Sequence, residues 1–343
     1  MVILDLYLYL YLNYHMKIFV TRKIPGTALD RLKNSGYDIE ISEFDRPLSA
    51  EELLEKGKGA DALLTLLTDK INGEVLDVIG PQLKIVSNYA VGFDNIVVED
   101  ASQRGVVVVN TPSQEVDEAV AEHAWALMLA LARRIVEADE STKRGAYKGW
   151  EPGIFLGKNL IGKTLGIVGL GGIGSMVARR ASGWQMRVLY NKRSRDEGAE
   201  KELGVEYADI DKLYAESDFI TLHVPLTDET RHMINKDAFS KMKDGVIVVN
   251  TARGSIVAEQ ELVDALREGK VGGAGLDVYD AEPNINPELI SMENVVLTPH
   301  IASATWEARQ KMGQQAVDAI LKILNGEKPE NIVNEDVWNK RRK

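Results

Sequence analysis

Residues 163–181, KTLGIVGLGGIGSMVARRA, run an apolar stretch into closely spaced glycines and then into a helix-forming segment. An apolar run of this kind suits a strand covered on both faces, which is a strand of a parallel sheet. Parallel strands need crossover connections, and the helix that follows is the natural one. The rest of the chain repeats this alternation. Strand-like segments at 17–21, 37–41, 61–67, 83–89 and 105–110 are separated by helical segments near 26–34 and 49–58. A second series follows at 187–191, 218–224, 245–251, 273–279 and 294–300. The fold class expected is α/β, with two doubly wound parallel-sheet domains.

The two series echo each other. ADALLTLLTDKINGEVLDVIG before GVVVVNTP parallels SDFITLHVPLTDETRHMINKDAF before GVIVVNTA. One long helix is expected after Ser113, reaching about Arg144, with a Gly- and Pro-rich loop at 145–162. A tail helix from near Ala304 is expected to return to the first domain. That makes residues 16–114 plus 301–334 a discontinuous domain, and 115–300 a second one. Residues 335–343 read as a basic tail. Residues 1–15, MVILDLYLYLYLNYH, carry no Lys or Arg and are too short to span a bilayer. They read as an extension ahead of a start at Met16, with an added edge strand as the alternative.

Composition narrows the function. A net charge of -11 disfavours a nonspecific nucleic-acid surface or a strong anionic-membrane role. The chain has 0 cysteines, which removes disulfides, thiol catalysis and thiolate metal sites and fits a cytoplasmic protein. The scattered histidines show no metal-ligand spacing.

Gly169, Gly171 and Gly174 stand in G-x-G-x-x-G spacing, after a strand and at the opening of a helix. In that context the spacing points to a dinucleotide. The first glycine makes the turn, the second admits the pyrophosphate, and the third lets helix and strand approach. The whole loop, with Leu170, Gly172 and Ile173, is the expected phosphate cradle, although the spacing assigns no role to Gly172. At the tip of the next strand an NAD-selective site carries an acid for the ribose hydroxyls. Here the tip is Asn191, Lys192, Arg193, Ser194 and Arg195, which is basic and rich in donors. That sign favours a 2'-phosphate, so NADP(H) is expected as the preferred cofactor and NAD(H) as a weaker one.

Arg253 in NTARGSIV, Glu282 in LDVYDAEP and His300 in LTPHIASAT fall at expected strand ends. Together with NYAVGFDN, GLGGIG and LHVPLT, these stretches resemble the D-2-hydroxyacid dehydrogenase family. They are most similar to its glyoxylate/hydroxypyruvate reductase branch, and the resemblance runs from Met16 to Val333. It implies a Rossmann-type cofactor domain and a flavodoxin-like substrate domain. It also implies a homodimer acting on a small 2-keto or 2-hydroxy acid.

Reduction of a keto acid needs a proton as well as a hydride, and a histidine can donate one near neutral pH. His300 therefore reads as the acid, Glu282 as the carboxylate that orients it, and Arg253 as the substrate clamp. The resemblance further implies that Val91 and Gly92 receive the substrate carboxylate. His223, Val224, Pro225, Thr230, Thr251, Ala252 and Asp277 would line the cofactor pocket, with Arg253 and His300 beside it. Asp277 would accept from the nicotinamide carboxamide. Trp150 resembles a tryptophan that crosses a dimer interface toward the substrate. Leu67 stands where phosphoglycerate dehydrogenases of the family carry an arginine for phosphate. A D-lactate or phosphoglycerate dehydrogenase, or a nucleotide-sensing corepressor on the same fold, are the alternatives.

Overall fold

The computed structural model describes residues 16–342, so the 1–15 extension lies outside the described residues. The chain forms two compact units. The first runs to Val116 and resumes at Thr305; the second is Asp117–Ala304.

In the first unit, β1 (Lys17–Val20), β2 (Asp38–Ile41), β3 (Ala62–Thr65), β4 (Ile85–Asn88) and β5 (Val107–Val109) pair in parallel, in the order β2-β1-β3-β4-β5. This is the flavodoxin-like winding, whose order reverses between β1 and β3. The strand Ala62–Thr65 is buried at every position, which its unbroken apolar run requires. Phe19, Leu63, Val86 and Val108 share one core with Leu53, Leu76 and Ile79 of the flanking helices.

The tail helix Trp306–Leu324 buries Ala308, Met312, Ala316, Ile320 and Ile323, a stripe at i+4 and i+3 spacing turned into this unit. Each large aliphatic side chain buried this way contributes about 1.5–3 kcal/mol. The Thr305 hydroxyl caps the helix by accepting from Ala308 N–H at 3.2 Å. Residues Glu335–Lys340, read from the sequence as part of a basic tail, form a 3-10 turn that buries Val337.

In the second unit, β6 (Thr164–Val168), β7 (Arg187–Asn191), β8 (Glu206–Tyr207), β9 (Phe219–Leu222), β10 (Val246–Asn250), β11 (Val271–Leu276) and β12 (Val295–Leu297) make one parallel sheet. Read from β8, the order is β8-β7-β6-β9-β10-β11-β12. This is the Rossmann winding extended by an edge strand, with its reversal between β6 and β9.

One expectation fails here. The single helix from Ser113 to Arg144 is two helices, Gln114–Ala132 and Ile135–Lys143. Arg134 between them has φ 51, in the left-handed region. The cause is tertiary: Lys158 N–H donates to the Ala132 carbonyl at 2.7 Å, and so takes the acceptor of the next helical turn. Only glycine at 157 permits the approach, since a Cβ there would lie 2.2 Å from that same oxygen.

Candidate functional site

The glycine loop joins β6 to the helix Gly172–Ala181. Gly169 has φ 99, and a Cβ on it would stand 2.5 Å from the His223 carbonyl oxygen. A Cβ on Gly174 would stand 2.1 Å from the Gly169 carbonyl oxygen, so this glycine permits the close helix–strand approach. Around Gly171 the position of a Cβ meets nothing within 4 Å. Leu170 is buried and Ile173 half-buried. The helix starts with no side-chain cap and no acid in its first turn, leaving its N–H groups for an anion.

At the end of β7 the basic tip is partly neutralised. Asn191 donates to the Ala208 carbonyl at 2.9 Å. Lys192 pairs with Asp196 at 2.9 Å, and Arg195 grips Glu200 through two bonds of 2.9 and 2.8 Å. Ser194 is exposed. Arg193, also exposed, has no hydrogen-bond or ion-pair partner among the described residues. The Glu229 carboxyl is held below its ordinary range by the Thr227 hydroxyl, by its own backbone and, more weakly, by Arg193. The three bases singled out in the sequence are therefore unequal, and Arg193 is the one not committed to an internal acid.

After β9, His223 Nε2 lies 2.9 Å from the Thr221 hydroxyl. Burial pushes its imidazole down to about 3, so the ring is neutral near pH 7. Beyond Val224, the Pro225 carbonyl accepts from the Thr230 hydroxyl at 2.7 Å.

The turn after β10 carries Arg253. Asn250, buried at the strand end, accepts from Ala252 N–H at 3.0 Å and donates to the Arg253 carbonyl at 2.8 Å. The Arg253 guanidinium donates to the Ala252 carbonyl at 2.7 Å. A Cβ on Gly254 would fall 1.9 Å from the Tyr279 carbonyl carbon, which is how closely this turn meets the segment leading to Glu282. The buried Thr251 hydroxyl has no hydrogen-bond partner among the described residues.

His300 and Glu282 meet. His300 Nδ1 lies 2.9 Å from Glu282 Oε2, and Tyr279 N–H donates to Oε1 of the same carboxylate at 3.1 Å. Burial acts to raise the Glu282 carboxyl, but the His300 contact, the Tyr279 N–H and the charge of Arg253 outweigh it and hold it below its ordinary range. The second imidazole nitrogen, Nε2, has no hydrogen-bond partner among the described residues. His300 itself has φ 55, a strained conformation for a residue with a side chain.

Asp277 maintains that conformation. Its side chain is 0% exposed. Oδ1 accepts from the Thr298 hydroxyl at 2.6 Å and from Ile301 N–H at 2.8 Å, and Oδ2 accepts from Ala302 N–H at 2.8 Å. The Asp277 carbonyl accepts from His300 N–H at 2.9 Å. Burial would raise this carboxyl, yet the hydrogen bonds from His123, Thr298, Ile301 and Ala302 hold it low. His123 reaches the same hub, with Nε2 3.0 Å from the Thr298 hydroxyl.

Sequence reasoning missed Asn250, Thr298, Tyr279 and the contact of His123 with this hub. An asparagine closing a buried strand was a readable turn signal; the other three depend on contacts distant in sequence.

Three expected residues belong to the first unit. Leu67 is half-buried. Val91 and Gly92 have their carbonyls held by Asn110 at 2.7 Å and Asn88 at 3.0 Å. Neither of their N–H groups donates a hydrogen bond among the described residues. In the second unit, Trp150 is 83% exposed, with Tyr147, Ile154, Leu156 and Ile161 exposed on the same 145–162 loop. Among the described residues, no group of His, Asp and Glu is arranged to hold a metal, and no helix is long and apolar enough to cross a membrane.

Residues 125–302 match the family model described as D-isomer specific 2-hydroxyacid dehydrogenase, NAD binding domain. The chain is 48% identical over 330 residues to the glyoxylate reductase of Thermococcus onnurineus (strain NA1), covering 95% of this chain and 98% of the relative. Its structure is similar to that of the TT0316 protein of Thermus thermophilus, with 41% identity, TM-score 0.86 and coverage of 93% of this chain and 100% of the other. It is also similar to the NADPH-dependent glyoxylate/hydroxypyruvate reductase of Sinorhizobium meliloti, solved in complex with NADP and malonate. There the identity is 31% and the TM-score 0.83, over 96% of this chain and 99% of the other.

Proposed function

Because the chain belongs to the D-isomer-specific 2-hydroxyacid dehydrogenases, we propose that it is a glyoxylate/hydroxypyruvate reductase with a preference for NADPH over NADH. The His300–Glu282 pair carries the chemistry of this reading. His300 donates a proton from Nε2 to the keto oxygen, Glu282 fixes the ring through Nδ1, and Arg253 brings positive charge to the substrate carboxylate and the polarised carbonyl. Neutral His223 shapes the pocket and transfers nothing.

The glycine loop fits a dinucleotide: open space at Gly171, close packing at Gly169 and Gly174, and an uncapped helix start. Leu170, Gly172 and Ile173 complete the loop, and Thr251, Ala252, Val224, Pro225 and Thr230 line the pocket. When bound, the reduced nicotinamide supplies the hydride. Arg193 is the residue best suited to a 2'-phosphate, with Lys192, Ser194, Arg195 and Asn191 around it. Leu67 offers no charge to a phosphorylated substrate. The apolar loop around Trp150 is suited to burial against a second copy of the chain in a homodimer.

Steady-state rates with glyoxylate, hydroxypyruvate and pyruvate, each with NADPH and NADH, test the proposal. Higher kcat/KM for glyoxylate and hydroxypyruvate with NADPH is expected. A maximum for pyruvate with NADH would replace it with a D-lactate dehydrogenase, and absence of turnover with all three acids would favour a sensor on this fold.

A further inference from the structure

The glycine loop holds one glycine more than its turn, its phosphate approach and its helix packing require, and the structure gives Gly172 a neighbour. A Cβ at this position would stand 2.0 Å from Asp117 Oδ2 and 2.8 Å from Asp117 Cγ. Asp117 comes from the long helix Gln114–Ala132 and leans its carboxylate on the backbone at the start of the helix Gly172–Ala181. It is half-buried and has no hydrogen-bond or ion-pair partner among the described residues. Burial raises its pKa above the ordinary carboxylate range, and Glu118 adds to that in the same direction. Arg180 of the glycine-loop helix pairs with Glu118 and lies 3.6 Å from Glu122, and no ion pair joins it to Asp117 among the described residues.

A carboxylate in this position stands where the amino end of the helix would otherwise meet only the cofactor's anion. Two negative groups cannot share that end without cost, and in a half-buried setting the cost is not screened away. Protonation of the carboxylate relieves it. We propose that Asp117 sets the affinity of the dinucleotide site: its carboxylate opposes the cofactor pyrophosphate, and binding takes up a proton from solvent onto Asp117.

The sign follows from linkage. The bound anion favours neutral Asp117, so its pKa is higher in the complex than in the free protein. Affinity is then greatest at low pH, weakens as pH rises from the free to the bound value, and levels off above it. Each unit of difference between the two values is a tenfold change in affinity.

The proposal rests on the dinucleotide reading of the loop and not on the choice between NADPH and NADH, which share the pyrophosphate. The test is titration calorimetry of NADPH and NADH against the full chain in two buffers of different ionisation enthalpy, from about pH 5 to about pH 8. The wild type is compared with Asp117→Asn and, in case the amide perturbs folding, Asp117→Ser. The wild type is expected to take up protons and to bind more weakly as pH rises. Both variants should bind both dinucleotides about tenfold more tightly at the upper pH, with no proton uptake. Binding by the variants equal to or weaker than the wild type, or unchanged proton uptake, overturns the role of Asp117. Failure of the folded wild type to bind either dinucleotide overturns the reading of the loop itself.

Discussion

Replacing Asp277 with asparagine keeps the shape of the side chain and changes one oxygen into a donor. The site has no spare acceptor to absorb that change. Both oxygens are occupied, by Thr298, Ile301 and Ala302, at 2.6 to 2.8 Å. If the asparagine oxygen keeps the Thr298 and Ile301 bonds, its amide nitrogen faces the Ala302 N–H, donor against donor. An unpaired buried N–H costs about 1–3 kcal/mol, and the remaining two bonds lose their charge assistance at about 0.5–1 kcal/mol each. A total near 3 kcal/mol lowers the melting temperature by about 6–12 °C for a unit of this size.

The pH dependence has a definite sign. The folded pKa of Asp277 is below its unfolded value, so its stabilisation is complete above the unfolded value. It is lost as pH falls through the folded value, below the ordinary carboxylate range. The variant should therefore lack that part of the acid limb. Calorimetric melting from about pH 3 to about pH 8 reads both effects, and kcat reads the loosened His300 loop. A melting temperature and kcat both within error of wild type would refute the anchoring argument. Unchanged stability with weakened dinucleotide binding would make Asp277 a cofactor ligand instead.

The other expectations concern chemistry, cofactor and assembly. His300→Gln should retain NADPH affinity, measured by fluorescence, while turnover falls by roughly 10²-fold or more; near-normal turnover would remove the proton-transfer role. Arg193→Ala should weaken NADPH by about tenfold or more, the scale of a charge-assisted bond of about 1.5–3 kcal/mol, and leave NADH almost unchanged. The same substitution at Lys192, already paired with Asp196, should do less; equal losses for the two cofactors would reduce the cluster to a surface feature. Trp150→Ala should raise the dimer dissociation constant by at least about tenfold in analytical ultracentrifugation, as loss of a buried aromatic anchor does. Unaltered association together with unaltered kcat would detach Trp150 from both the interface and the substrate.

Most of the strands were readable because they are short apolar runs closed by a polar or glycine turn; Arg187–Asn191 has the bounds its sequence implies. The strand Glu206–Tyr207 was not readable, being two exposed residues with no apolar run. Neither was the break at Arg134, since Ala132-Arg133-Arg134-Ile135 contains no glycine or proline and the interruption comes from Lys158. The basic tip was legible as composition, but its pairing was not. That Arg195 spends itself on Glu200 depends on how the turn after β7 folds back.

The site divides along the same line. The residues proposed to touch a reactant are carried by short motifs at strand ends, where chain geometry alone brings them out. The groups that hold them lie far off in sequence: Thr298 meets His123 across 175 positions, and Ala302 meets Asp277 across 25. A left-handed His300 persists only because several such contacts determine it together: its own N–H on Asp277, the two following N–H groups on the Asp277 carboxylate, and Nδ1 on Glu282. Removing one of these contacts should leave a folded chain with a poorly aimed acid. Loss of kcat out of proportion to loss of substrate binding is therefore the expected signature of substitutions at Thr298 and Asp277, and at Tyr279, whose hydroxyl donates to the Thr298 carbonyl at 2.8 Å.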